Sequence, residues 1–135
     1  MKYCIVFFFV ISVGCFNNGD SNDSYVLIKV DSSGNQVASK IFVSKFNPLK
    51  KLIVLYWNNG KIQSRGFFYG KKRDGINENF YITGSKLSTE VFENGLKNGI
   101  QKTYYLNGKI ETLENYDKGK KISVNVFDSS GNEIK

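Results

Sequence analysis

Three glycines, Gly60, Gly84 and Gly108, stand 24 residues apart, and the residues around them repeat with them. An aromatic pair precedes each: Tyr56-Trp57, Phe80-Tyr81 and Tyr104-Tyr105. Another ring follows eight residues after each glycine, at Phe68, Phe92 and Tyr116, and then a second glycine, Gly70, Gly95 or Gly119. Asp74-Gly75-Ile76 and Asn98-Gly99-Ile100 recur at the same spacing. Five features in register define an internal repeat over residues 56–127, the mark of an array whose units contact only their neighbours.

The unit reads as a β-hairpin. Asn59-Gly60 and Asn107-Gly108 carry the pair that populates positive φ at both central positions of a type I′ turn, so type I′ turns are predicted there. Apolar and polar residues alternate in Ile100-Gln101-Lys102-Thr103-Tyr104 and Leu87-Ser88-Thr89-Glu90-Val91, as in strands with one apolar face. The density of glycine, asparagine and β-branched residues opposes helix. A lone hairpin is barely stable in water, so successive copies must pair edge to edge and share aromatic stripes. The ladders Tyr56/Phe80/Tyr104 and Phe68/Phe92/Tyr116 supply them. Two looser copies of the first turn, Val30–Val37 around Gly34 and Phe127–Ile134 around Gly131, flank the array. The predicted fold is all-β, an antiparallel meander of stacked hairpin repeats in one elongated sheet over residues 25–135.

The N-terminus is of another kind. Lys2 is followed by an apolar run from Tyr3 to Ile11 and then by Ser12-Val13-Gly14-Cys15, the layout of a signal peptide over residues 1–14. The run is well short of the roughly 20 residues a helix needs to cross a bilayer. Its end resembles a bacterial lipobox, with Ser12 where leucine is usual. That resemblance implies cleavage before Cys15, lipidation of Cys15 and anchoring of the protein at a membrane in the cell envelope; secretion is the alternative. Residues 15–24 are polar, with Gly19 among asparagine, aspartate and serine, and read as a flexible tether.

Between Phe92 and Ile110 the asparagine-glycine turns, the tyrosines and the 24-residue spacing resemble the MORN-repeat variant of bacterial proteins, the group labelled YwqK-type antitoxin. The match covers about residues 52–127. The resemblance implies an all-β array of hairpins, no catalysis and a role in binding, with a toxin as one kind of partner. A lipid anchor points instead to an envelope protein that binds another protein.

Residue inventory removes several chemistries. The chain has no histidine, and its two cysteines, Cys4 and Cys15, both lie in the N-terminal segment. Cysteine–histidine zinc sites and Ser-His-Asp triads are therefore excluded, and no metal or cofactor is implied. Glu90 with Glu93, and Glu111 with Glu114, have the composition of a glycosidase pair. Yet Glu90 and Glu114 are repeat equivalents, as are Glu93 and Asp117, which points to surface positions in successive hairpins rather than to catalysis.

The formal charge is +7, and removal of residues 1–14 takes away only Lys2. Lys71-Lys72-Arg73 and the basic run Lys118, Lys120, Lys121 fall at second turns. They are candidates for contact with anionic lipid or another polyanion, although turn lysines also guard sheet edges. Nucleic acid is not the expected partner. Trp57 and Tyr105 join them as candidate binding residues, because exposed rings beside lysine form stacking platforms.

Overall fold

The computed structural model describes residues 24–33 and 36–135. The signal segment, Cys15, the tether up to residue 23 and the turn at Gly34 lie outside the described residues. The rest forms one open antiparallel sheet of eleven strands in meander order. The strands are β1 (Tyr25–Ser33), β2 (Gln36–Ser44), β3 (Lys50–Tyr56), β4 (Ile62–Tyr69), β5 (Lys72–Phe80), β6 (Lys86–Glu93), β7 (Leu96–Lys97), β8 (Gly99–Tyr104), β9 (Ile110–Asp117), β10 (Lys120–Phe127) and β11 (Glu133–Ile134). Each pairs with its sequence neighbour, except that β6 meets both the two-residue β7 and β8. The all-β meander read from the sequence is thus the observed fold.

The first turns differ from the prediction. Asn59 and Asn107 have negative φ, and only the glycine that follows each is left-handed. The Trp57 carbonyl accepts from Gly60 N–H at 2.9 Å, and Trp57 N–H donates to the Lys61 carbonyl at 2.8 Å. This is a three-residue loop closed by a glycine bulge, and the turns at Gly84, Gly108 and Gly131 share it. Thr83 and Ser130 hold the same loop, and in the two Asn-Gly turns the asparagine is tied into it. Asn59 Oδ1 accepts from Lys61 N–H, and Asn107 Oδ1 from Lys109 N–H, both at 3.0 Å, an Asx bond that favours ordinary negative φ over the mirror-image turn. The type I′ pattern sits at the second turns instead, where Asn94-Gly95 and Lys118-Gly119 have positive φ at both residues.

Side chains alternate across the pleat, and directly paired residues share a face. Leu52 faces Phe67, and Val54 faces Arg65; by alternation Tyr56, Phe80 and Tyr104 stand on that same side, here termed the front. Phe68, Phe92 and Tyr116 stand on the back. The two aromatic ladders therefore serve opposite faces. Burial is thin: among the described residues only Leu52, Val54 and Phe92 are buried apolar side chains. The front is deepest at its N-terminal end. There the Tyr25 ring meets Phe67 edge-on at 5.8 Å although β2 and β3 lie between their strands, so the sheet curls over Leu52.

Candidate functional site

Successive repeats are stitched by side chains as well as by strand ladders. Along the edge of first turns, Trp57 Nε1–H donates to the Phe80 carbonyl at 3.2 Å, Tyr81 hydroxyl to Tyr104 at 3.1 Å, and Tyr105 hydroxyl to Phe127 at 2.8 Å. Asn59 and Asn107 amides reach the carbonyls of Ile82 and Ser129, both at 2.9 Å. Lys61 and Lys109 ammonium groups reach those of Thr83 and Ser130. Trp57 and Tyr105 are thus repeat-equivalent fasteners whose polar atoms are already engaged.

The edge of second turns has its own fasteners. Asn94 N–H donates to Asp74 Oδ1 at 3.0 Å, and Lys118 N–H to Asn98 Oδ1 at 3.3 Å. Gly95 and Gly119 N–H groups donate to the carbonyls of Arg73 and Lys97. Asp74 and Asn98 were visible in the sequence only as neighbours of a recurring glycine. Their 24-residue spacing was the available signal for this hooking role.

Between the two edges the back carries a column of rings and charges. Arg73 lies 5.2 Å from the Phe92 ring centre and 3.7 Å from Glu90. Lys97, its equivalent, pairs with Glu90 at 2.8 Å and lies 5.5 Å from the Tyr116 ring. Lys121, the next, pairs with Glu114 and lies 5.7 Å from Tyr116. The Lys121 hydrogen bond outweighs slight burial and holds the Glu114 carboxyl below its ordinary value, with help from the Tyr116 hydroxyl; the same bond raises Lys121. Glu90 and Glu114 are therefore partners of cations. Glu93 accepts from the Asn98 amide and Glu111 from Thr103.

Of the six basic candidates, Arg73 and Lys121 belong to this column. Lys71, Lys72, Lys118 and Lys120 are exposed, and Lys120 is registered opposite Asp117. The two basic runs share one edge but are separated by the turn at Gly95. Their hairpins lie four strand spacings apart, about 19 Å. They do not form one patch.

Gln101 is a site residue that sequence reasoning missed. It is 4% exposed, and its side-chain amide takes the place of a strand ladder: Oε1 accepts from Val91 N–H at 2.7 Å, and Nε2 donates to the carbonyls of Val91 and Gly99 at 3.1 Å. No signal marked it, because the residues 24 before and after it are asparagines, Asn77 and Asn125.

Among the described residues no group of three or more metal-ligating side chains comes together, and no helix is long and apolar enough to cross a membrane. The fold and its fasteners define an open hairpin-repeat sheet with two solvent-facing sides. Comparison with protein-family models, with curated proteins and with solved structures returns no match to this chain.

Proposed function

We propose that this protein is a non-enzymatic binding scaffold, held at a membrane of the bacterial envelope by lipid on Cys15, whose hairpin sheet engages another protein. The observation that carries the binding role is the open sheet itself. Eleven strands present two faces and two edges, while only three apolar side chains among the described residues are buried. Such an architecture stabilises itself through neighbour contacts and leaves most of its surface available, as repeat proteins used for recognition do. The engagement of Glu90 and Glu114 with cations adds support to a non-catalytic role. The anchoring rests on residues 1–15, whose charged start, short apolar run and Gly14-Cys15 end fit acylation; two or more acyl chains hold a protein stably at a bilayer.

Radiolabelled palmitate incorporation, with and without Cys15→Ala, tests the anchor. Label in the parent and none in the variant is expected; an unlabelled parent refutes it. Pull-down from membranes at native abundance tests the scaffold and should recover a stoichiometric protein. A toxin in that position would support the antitoxin resemblance. Recovery of the chain alone would refute the scaffold.

A further inference from the structure

The sheet ends differently on its two sides. On the N-terminal side, β1 is broken by register shifts at Leu27/Lys29 and Asp31/Ser32, and Lys29 pairs with Asp31 at 3.1 Å. Charges and bulges of this kind blunt an edge. On the C-terminal side, β10 is paired along its inner side by β9, with one register shift, between Lys121 and Ser123. Among the described residues, its outer side meets only β11, through Val126 with Ile134 and Phe127 with Glu133. Asp128 N–H meets the Asn132 carbonyl, so the backbone groups of Val126 and Val124, two and four residues back, point to the same outer side. Ile122 is 61% exposed and Val124 50%.

The repeat itself specifies what belongs beside this edge. In the interior, each back-face cation touches groups on the strand that follows it. Arg73 on β5 reaches Glu90 and Phe92 on β6, and Lys97 on β7 reaches Tyr116 on β9. Lys97 also pairs backwards, with Glu90 on β6, but its ring lies ahead; Lys121 on β10 is their equivalent, yet its ring, Tyr116, lies with its acid, Glu114, on the strand before it. The position beyond it, where the interior pattern puts an acid two residues before a ring, is occupied by no described residue. One further departure narrows the occupant. The hooks that seat the next second turn, Asp74 and Asn98, are replaced by Ile122. The edge therefore has no seat for another hairpin and is left to a single extended strand that follows the β10 register shift at Lys121/Ser123.

From this juxtaposition we infer that the outer edge of β10, over residues 120–125, accepts an extended segment of a partner protein. The segment adds antiparallel to β10 and carries an acidic residue two positions before an aromatic one. Backbone hydrogen bonds supply affinity, and the acid and ring, reaching Lys121 across the back face, supply selectivity. This rests on the proposed binding role and names the kind of partner it serves.

The test titrates full-length protein into a fluorescein-labelled peptide with the sequence of residues 86–93, whose Glu-Val-Phe has the required order. Anisotropy gives the affinity, and amide hydrogen exchange locates the site. Expected is saturable binding with slowed exchange at residues 122–125. Lys121→Glu in the protein, or lysine in place of the peptide's first glutamate, should weaken binding about tenfold, and the two changes together should restore it. Val124→Lys, at an exposed edge position, should weaken binding with an unchanged circular dichroism spectrum, which guards against misfolding of the Lys121 variant. Absence of saturation would overturn the inference, as would equal affinity for the lysine-bearing peptide. Slowed exchange at 122–125 that grows with protein concentration in the absence of peptide would also overturn it, assigning the edge to a second copy. If the Val124→Lys protein still recovers the membrane partner, the edge assignment falls and the scaffold stands; if the parent recovers none, the scaffold falls.

Discussion

Gln101→Ala should destabilise the repeat array markedly. The substitution removes three hydrogen bonds, to Val91 N–H and to the carbonyls of Val91 and Gly99. The Val91 carbonyl keeps Asn98 N–H as a donor at 3.0 Å, but Val91 N–H loses its partner in a part-buried position. A net hydrogen bond contributes about 1 kcal/mol, and stranding a buried donor costs about 1–3 kcal/mol, so the loss comes to about 2–4 kcal/mol. Urea unfolding followed by the fluorescence of Trp57 and by far-UV circular dichroism measures it. With an m-value of about 1.5 kcal/mol/M the midpoint falls by about 1.3–2.7 M. Agreement of the two probes matters, since Trp57 lies in the β3–β4 turn and a repeat array can unfold in parts. Amide exchange at Val91 gives the local readout and should accelerate. Gln101→Glu keeps an acceptor for Val91 N–H but sets a carboxylate against two carbonyls, so it should cost at least as much at neutral pH. A Gln101→Ala midpoint within experimental error of the parent, with Val91 still protected, would refute the idea that this side chain replaces the ladder.

Gly66→Ala should destabilise by about 1–3 kcal/mol, because a Cβ there would lie 1.6 Å from Asn77 Oδ1 and 2.6 Å from its Cγ; in an Asn77→Ala background most of that cost should vanish, read as coupling in a double-mutant cycle of urea midpoints. Burial opposes ionisation of Glu78, but hydrogen bonds and charge from Lys86 and Arg65 outweigh it and hold the carboxyl below the ordinary 4.5. The stability this confers is complete above the unfolded value and disappears as pH falls below about 4.5 through the folded one, so Glu78→Gln should flatten the acid limb of a stability-versus-pH curve. Tyr105→Phe should cost about 0.5–1.5 kcal/mol by thermal or urea unfolding, through loss of the bond to the Phe127 carbonyl, and should leave recovery of a membrane partner unchanged.

The period of the array was legible because each left-handed turn needs glycine, and Gly60, Gly84, Gly108 and Gly131 do hold such turns. Turn type was not, since Asn-Gly serves both the mirror-image turn and the bulged loop. Thr83-Gly84 and Ser130-Gly131 form the same bulged loop, in which Asn59 and Asn107 bond forward to Lys61 and Lys109. The ladders were named correctly but their faces were hidden, because Tyr56 and Phe68 are separated by a turn and register alone sets their sides. At the candidate site, Arg73 and Lys121 stood out as members of basic runs. Their pairing with Phe92, Glu114 and Tyr116 became visible only when neighbouring hairpins were placed side by side.

The bond from Trp57 to Phe80, and its equivalents from Tyr81 and Tyr105, also say something about how such a chain assembles and changes length. Each closes a loop of only one hairpin, so contact order stays low and folding proceeds like a zipper, with every added hairpin rewarded by the one before it. Duplication or deletion of a 24-residue unit leaves a single seam to mend. The groups that must meet again there are one backbone carbonyl and one aromatic donor, which every repeat already carries.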